Sequence, residues 1–202
     1  MRPSVTGLVL AAGTSSRLGQ PKQLLPFRDG TLLDATLDVA RSCGFDQLVV
    51  ALGGAADEVR AVVDLAGCTV AANARPADGC ASSIAAALDV VDPRADGLVL
   101  LLGDQPGVSP ATVAALVAAA APDPMGVVRY DDGWGHPLWL GAETFGDLAT
   151  LHGDKGVWRL LESGRHEVVE VRVVGPVPLD VDTWADHAAL LAADAGAGRV
   201  LP

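Results

Sequence analysis

Residues Leu8–Phe27 read LVLAAGTSSRLGQPKQLLPF and decide the fold of the chain. The apolar run Gly7–Ala11 passes directly into a loop of small residues that contains Gly13. A run that is apolar at successive positions is typical of a parallel strand buried on both faces. The stretch therefore predicts a buried strand followed by a loop whose backbone a ligand can approach closely.

The same kind of apolar run recurs through the first half of the chain. Further strands are predicted at Gln47–Leu52, Cys68–Ala72 and Gly97–Leu102. The segments between the strands have apolar residues at helical spacing, and they are Leu32–Ser42, Ala55–Leu65 and Ser82–Val91. This alternation predicts an α/β fold: a three-layer α-β-α sandwich around a Rossmann-like, doubly wound, mostly parallel sheet.

The second half has a less regular pattern. Ser109 and Pro110 are a good start for the helix Ala111–Ala120, because serine caps the free amides and proline suits the first turn. Beyond it we expect mixed or antiparallel strands added to the same sheet, with strands at Gly126–Tyr130, Pro137–Leu140 and Glu167–Val174 and helices at Ala142–Leu148, Lys155–Glu162 and Thr183–Ala192. No linker is evident, so residues 1–202 are expected to form one domain.

Composition and charge narrow the classes of function. The net charge is −11, which argues against a nucleic acid or an anionic membrane as partner. The apolar runs are too short to cross a bilayer, and no signal peptide is evident. The three cysteines show no metal-like spacing, and a cytoplasmic protein is the expectation.

The first loop is suited to a polyphosphate. Gly13, Thr14 and Ser15 allow backbone amides to approach a phosphate, and Arg17 and Lys22 add two cations. The spacing matches neither the Walker A loop nor the GxGxxG fingerprint. A plain turn between strand and helix is the alternative, but such a turn has no need of an arginine and a lysine.

Lysine is rare in this chain, since only Lys22 and Lys155 occur. Either the chain simply favours arginine, or both lysines bind phosphate. Lys155 lies at a predicted helix start, where a cation opposes the helix dipole, and an anionic ligand would explain that placement.

Carboxylates follow two of the predicted elements. Asp104 comes at the end of the strand in LVLLLGDQP, where it can hold Mg²⁺ or cap the next helix, and Ser109 is better placed for capping. Asp180 and Asp182 lie in LDVDTWAD near the end of the chain and can complete a metal site, although Asp182 or Thr183 can equally cap the last helix.

Two further segments carry candidate ligand contacts. In NARPADGCASS, Asn73 can meet a base or ribose, while Gly79, Ser82 and Ser83 lie at a helix start; a structural turn explains Gly79 nearly as well. His136, between glycine and proline, either contacts a substrate phosphate or is a solvated loop histidine.

The loop motif closely resembles the signature of nucleotidyltransferases that activate sugars, isoprenoid precursors and molybdopterin. The resemblance implies a glycosyltransferase-A-like nucleotidyltransferase fold, with the triphosphate on Arg17 and Lys22 and Mg²⁺ on Asp104. The implied nucleotide contacts also include Leu10, Ala11, Ala12, Gly13, Thr14 and Ser15. The family often has DIDTPED where this chain has DVDTWAD, which keeps Asp180 and Asp182 but changes their surroundings.

The GHP and GDKG segments resemble molybdenum cofactor cytidylyltransferase-like members of the MobA-like family. By that resemblance, CMP passes from CTP to molybdopterin with release of pyrophosphate, His136 and Lys155 orient the acceptor, and a molybdenum hydroxylase is a possible partner. Three alternatives stay open: a sugar or alditol phosphate acceptor, nucleotide binding without turnover for cofactor delivery, and a family-derived NAD(P)H oxidoreductase.

Overall fold

A computed structural model describes residues 2–13, 15 and 17–197 of the chain. The first half alternates strands and helices: β1 (Val5–Ala11), β2 (Pro26–Phe27), β3 (Gly30–Thr31), α1 (Leu32–Ser42), β4 (Gln47–Leu52), α2 (Ala56–Val62), β5 (Cys68–Ala72), α3 (Cys80–Leu88) and β6 (Gly97–Leu102). The second half contains α4 (Pro110–Ala120), β7 (Met125–Arg129), β8 (Trp134–Gly141), α5 (Phe145–Leu148), α6 (Gly156–Glu162), β9 (Val168–Arg172) and α7 (Trp184–Ala197).

Seven of these strands form one sheet in the order β5-β4-β1-β6-β8-β7-β9. All neighbouring pairs are parallel except those of β8, which runs antiparallel to β6 and β7. Strands β2 and β3 form a separate hairpin that the sequence pattern did not predict. The predicted mostly parallel, doubly wound sheet is confirmed.

Apolar side chains cover both faces of the sheet. Along β6, Leu98 and Leu100 point into one hydrophobic cluster, while Val99 and Leu101 point into the other. Helices α1, α2 and α4 pack on the first face, and α3, α5 and α6 pack on the second. Successive strand residues alternate between faces, so a run of leucines and valines fills two cores at once. The three-layer α-β-α arrangement is confirmed.

Several predicted boundaries need correction. The strand predicted at Pro137–Leu140 begins at Trp134, because its first residues pair with β7 beyond a bulge at Val127/Val128. The predicted helix Ser82–Val91 begins at Cys80, directly after Gly79 with its φ of 88°. The segment predicted as one helix at Ala142–Leu148 begins with a 3₁₀ turn before α5.

The topology brings several strand ends together at one edge. Strand β1 lies between β4 and β6, and the chain order reverses there. In open α/β sheets, ligands bind beyond the carboxyl ends of strands at such a reversal. Because β8 is antiparallel to β6, its beginning lies at the same edge as the end of β6.

Among the described helices, none has the length and apolar character needed to cross a membrane.

Candidate active site

A cavity of about 670 Å³ opens at this edge of the sheet, above β1, β6 and the start of β8. Most of the residues that the sequence singled out line it. They are Leu10, Ala12, Gly13, Ser15, Arg17, Lys22, Gly79, Ser83, Asp104, His136, Asp180 and Asp182. Thr14 falls outside the described residues. Ala11, Asn73, Ser82 and Lys155 are described but do not line the cavity.

The side chain of Gln23, which was not predicted as a site residue, fixes the backbone at the start of the first loop. Its buried side-chain amide donates hydrogen bonds to the carbonyl oxygens of Ala11, at 2.6 Å, and Gly13, at 3.2 Å. The backbone amide of Lys22 donates to Ser15 Oγ at 2.9 Å. These bonds fasten the two ends of the loop, so that Lys22 returns towards the end of β1.

Two carboxylates and two cations converge in the cavity. The Lys22 ammonium donates to an oxygen of Asp104 and, at 2.8 Å, to Oδ1 of Asp182. A guanidinium nitrogen of Arg17 lies 3.3 Å from the other carboxylate oxygen, Oδ2, of Asp182. Asp104 stands just beyond β6 and Lys22 just beyond the first loop, so the ends of two adjacent strands bring them together. This four-residue group is called the charge cluster below.

Burial and charge act against each other in the charge cluster. Burial raises the pKa of the Asp104 carboxyl, so this group depends on a neighbouring cation to stay ionised. Burial by itself would lower the pKa of Lys22. The negative charges and hydrogen bonds of Asp104 and Asp182 have the larger combined effect, so the pKa of Lys22 is raised. The hydrogen bond from Lys22 lowers the pKa of Asp182. The Lys22 ammonium therefore favours the ionised form of both carboxylates, against the burial of Asp104.

Neither acidic segment uses its cavity-facing carboxylate as a helix cap. Ser109 caps α4 by accepting a hydrogen bond from the amide of Thr112 at 3.0 Å. At the start of α7, Thr183 Oγ1 accepts from the amide of Asp186, and Asp186 accepts from the amide of Thr183 at 2.7 Å. Asp104 and Asp182 are thereby left free to face the cavity.

The NARPADGCASS segment is organised by its own hydrogen bonds. Asn73 is buried, donates to the hydroxyls of Ser82 and Ser83 at 2.8 and 2.9 Å, and accepts from the amide of Arg75. Ser82 in turn donates to the carbonyl of Gly79 or Arg75. The contacts that we expected Asn73 to offer a nucleotide are used within the loop, so this residue positions the segment and does not face the cavity.

Gly79 is the point where this segment meets the GDKG segment. Its φ is 88°, and a Cβ atom placed on it would lie 2.7 Å from the backbone carbon of Gly153 and from a carboxylate oxygen of Asp154. Asp154 also accepts a hydrogen bond from the amide of Cys80 at 3.1 Å. Only glycine fits this approach, and the contact brings Asp154 and Cys80 to the cavity wall.

The two residues expected to orient the acceptor differ in placement. His136 lies in β8, is 8% exposed and lines the cavity, so it is not a solvated loop histidine. Burial lowers its pKa to about 4, so the imidazole is neutral and offers a phosphate no positive charge. Lys155 is exposed at the start of α6 and lies outside the cavity wall. The neighbouring residues of the same segment, Asp154 and Trp158, line the cavity instead.

A family model described as the MobA-like NTP transferase domain matches residues 7–169 of the chain. Nicotine blue oxidoreductase of Paenarthrobacter nicotinovorans is 32% identical over 163 residues, which is 76% of this chain and 79% of that protein. Purine catabolism protein PucB of Bacillus subtilis is 30% identical over 198 residues, which is 92% of this chain and 95% of that protein.

A solved structure of similar sequence also matches the fold. Rv0371C from Mycobacterium tuberculosis H37Rv, crystallised as a complex with manganese, is 54% identical to the chain and superimposes with a TM-score of 0.84. The match covers 95% of this chain and 100% of that one. A protein of this fold and of similar sequence is therefore known in complex with manganese.

Proposed function

Since the chain belongs to the MobA-like NTP transferase family, we propose that it transfers CMP from CTP to the phosphate of a molybdopterin-type acceptor. Pyrophosphate is the second product, and Mg²⁺ is the metal of the reaction. The observation that carries the proposal is the charge cluster at the end of the first loop: Lys22 lies between Asp104 and Asp182, with Arg17 beside them.

The charge of the cavity wall supports a requirement for a divalent cation. The described lining contains two cations, Arg17 and Lys22, against four carboxylates, Asp104, Asp154, Asp180 and Asp182. A triphosphate is itself strongly anionic, so it meets net repulsion in this cavity unless further positive charge accompanies it. A divalent cation bound together with the nucleotide supplies that charge.

The residues present fit such a cation. Asp104 and Asp182 already share one positive group, the Lys22 ammonium, and Asp180 is close enough to Asp104 to act on its pKa. Within the described residues, no three His, Cys, Asp or Glu side chains form a metal site on their own. Mg²⁺ commonly takes one or two protein carboxylates and completes its shell with phosphate and water, so Asp104 and Asp182 would hold it. When bound, the ion neutralises charge on the phosphates.

The side chains of the cavity account for the remaining parts of the reaction. An oxygen of the acceptor phosphate forms a bond to the α-phosphorus of CTP, the α–β bridging bond breaks, and its electron pair leaves with pyrophosphate. Arg17 and Lys22 stabilise the negative charge that develops on this leaving group. Alignment and charge neutralisation supply the catalysis, and no protein nucleophile takes part.

The choice of CTP and of a molybdopterin acceptor rests on two segments of the sequence. The residues Ala11-Ala12-Gly13, at the end of β1 and the start of the first loop, resemble the corresponding segment of cytidylyltransferases. Of these, Ala12 and Gly13 line the cavity. The acceptor follows from the GHP segment, whose His136 reaches the cavity. If the acceptor is molybdopterin, a molybdenum hydroxylase is the partner that would receive the product.

A second candidate function has one observation in its favour. A relative that is 32% identical to the chain is named as an oxidoreductase. The two functions differ in their products, because only the transferase releases pyrophosphate, whereas the oxidoreductase consumes NAD(P)H.

The proposal is tested by measuring pyrophosphate release from each common nucleoside triphosphate, with Mg²⁺ and either molybdopterin or an alditol phosphate. We expect release with CTP and molybdopterin, and a rate lower by about 100-fold or more in Asp104→Asn. Asp38→Asn is the matched control, because its side chain is 74% exposed on α1. If no pyrophosphate is released with any triphosphate and the protein oxidises NAD(P)H, the transferase proposal is wrong and the oxidoreductase function is supported.

A further inference from the structure

The strand at one edge of the sheet has a symmetric sequence. Strand β9 is the last strand of the sheet, and β7 is its one neighbour in the described chain. From Val168 to Val174 the residues read VVEVRVV. Outward from Val171, the valines occur at the same positions on both sides, and the charges of Glu170 and Arg172 are equally distant and opposite in sign. A segment of this kind is complementary to a second copy of itself that runs in the opposite direction.

The outer edge of β9 has main-chain groups available for pairing. The amide of Val173 donates a hydrogen bond to the carbonyl of Arg129, at the end of β7. Along a strand, successive residues present their amide and carbonyl groups to opposite sides, so Val171 also faces β7. The amides and carbonyls of Glu170 and Arg172 therefore point away from the sheet. A row of such groups is a template on which a further strand can pair.

The side chains of Glu170 and Arg172 also have no partner in the described chain. Both are exposed, and none of the ion pairs of the described residues involves either of them. They lie on one face of β9, because they are two positions apart. Val174, just beyond the strand, is 90% exposed. The free edge therefore combines a cation, an anion and an exposed apolar side chain.

One register pairs all of these groups with a second copy. When the two-fold axis passes through Val171, Glu170 of each copy lies opposite Arg172 of the other. These two residues are also the ones whose main-chain groups point outward, so they form a hydrogen-bonded pair of an antiparallel ladder. Moving the axis to Glu170 or to Arg172 places like charges opposite each other, which is unfavourable. Main chain and side chains thus favour the same register.

We propose that the chain forms a two-fold symmetric homodimer through antiparallel pairing of β9 with β9 of a second copy. The two sheets then continue into each other. Main-chain hydrogen bonds supply the affinity, and the two Glu170–Arg172 pairs select the partner and the register. No residue of β9 lines the cavity, and β8 and β7 lie between β6 and β9, so both cavities stay open in the dimer. The pairing needs neither nucleotide nor metal.

The charges on this edge have an alternative explanation. Charged side chains on an edge strand often prevent association with other strands. Two charges of the same sign serve that purpose best, because they repel a second copy in the symmetric register. Glu170 and Arg172 have opposite signs and therefore attract one. The alternative predicts a monomer, whereas the proposal predicts a dimer.

The test measures association by sedimentation velocity from about 1 µM to about 300 µM, a range that includes the micromolar dissociation constants of small interfaces. We expect wild type to form a dimer within this range. In Glu170→Arg two arginines lie opposite each other at both ends of the pairing, and in Arg172→Glu two glutamates do so. Each change should weaken the dimer by about tenfold or more.

An equal mixture of Glu170→Arg and Arg172→Glu restores opposite charges at both pairs. We expect this mixture to associate about as tightly as wild type, although neither variant does so alone. This rescue also shows that both variants are folded. Glu58→Arg is the matched control, because it makes the same change of charge at an exposed position on α2 and should leave the dimer unaltered.

A second measurement uses the unaltered protein. Hydrogen exchange of the amides of Glu170 and Arg172 is followed by NMR in concentrated and in dilute protein. We expect slow exchange only in the concentrated sample, where these amides bond to the second copy. The amide of Val173, which bonds to Arg129 within the chain, is the internal reference and should not depend on concentration.

Three results would overturn the proposal. The first is a wild type that stays monomeric over the whole concentration range. The second is a dimer that Glu170→Arg does not weaken, because its interface would then lie elsewhere. The third is a mixture of the two variants that associates no more tightly than each variant alone. Each of these results leaves the proposed transferase function unaffected, since pyrophosphate release is measured separately.

Discussion

The Lys22 ammonium lies 2.8 Å from a carboxylate oxygen of Asp182, although 160 positions separate the two residues in the chain. The same ammonium is bonded to Asp104. In the proposed reaction, Asp104 and Asp182 would hold a divalent cation, so Lys22 would pass from these carboxylates to the phosphates when nucleotide and metal bind together.

Lys22→Met separates these two roles. Because the competing ammonium is gone, we expect Mn²⁺ to bind the nucleotide-free protein more tightly, whereas pyrophosphate release falls by about 100-fold or more. Manganese binding is followed by electron paramagnetic resonance and release by a coupled assay. Arg94→Met is the control, since Arg94 pairs with Asp92 near the opposite edge of the sheet. Weaker Mn²⁺ binding in Lys22→Met would contradict the exchange of cations.

Gln23 is expected to set the shape of the first loop. Gln23→Glu removes the donor that holds the carbonyls of Ala11 and Gly13 and places an acceptor against them. We expect the affinity for CTP to fall by about tenfold, measured by calorimetry. Gln47→Glu is the matched control: Gln47 donates to the carbonyl of Val90 at the start of β4, so this change should lower stability and leave CTP affinity unaltered. Equal losses of affinity would show that Gln23 has no particular role.

Gly79→Ala tests the contact between the two segments that form one wall of the cavity. The added Cβ meets Gly153 and Asp154 in a backbone conformation that favours glycine. We expect unfolding in urea to show a loss of about 3 kcal/mol. In Gly67→Ala, where φ is also positive but no atom lies within 4 Å, the loss should be about 1 kcal/mol. Similar losses would mean that the close approach at Gly79 adds nothing to stability.

The pKa of His136 predicts a dependence of stability on pH. The folded protein holds this pKa at about 4 through burial, whereas the unfolded chain has the ordinary value of about 6.5. The unfolded state therefore binds a proton first, and stability is lost as the pH falls below 6.5. Relative to His136→Phe, wild type should lose about 2 kcal/mol of unfolding free energy between pH 7 and pH 5. A difference that is constant with pH would show that the imidazole is not buried as described.

The sequence predicted the fold where the determining interactions are local. Helix α1 was predicted at its observed bounds, and Thr31 and Asp34 form a reciprocal capping box at its start. The beginning of β8 was predicted too late, because Trp134 and Gly135 join the strand only through their pairing with β7. Pairing of this kind depends on residues distant in the chain, and periodicity carries no information about it.

The same distinction applies to the site. Asp104 was identified because it follows a strand that ends at the ligand-binding edge, and Lys22 because it is one of two cations in the loop after β1. The roles of Asn73 and His136 depend on residues that fold against them. Asn73 donates its hydrogen bonds to Ser82 and Ser83, and the ring of His136 packs against Trp158. Spacing along the chain indicated that these residues matter, but it did not show which of them faces the cavity.

Transfer of CMP to the acceptor is measured directly with CTP labelled at the α-phosphorus. The protein is mixed with labelled CTP, Mg²⁺ and molybdopterin, and labelled acceptor and pyrophosphate are measured together. We expect both to form in equal amounts with wild type, and both to fall by about 100-fold or more in Asp104→Asn. Absence of label on the acceptor with folded, CTP-bound wild-type protein, or equal transfer by Asp104→Asn, would contradict the proposed transferase function.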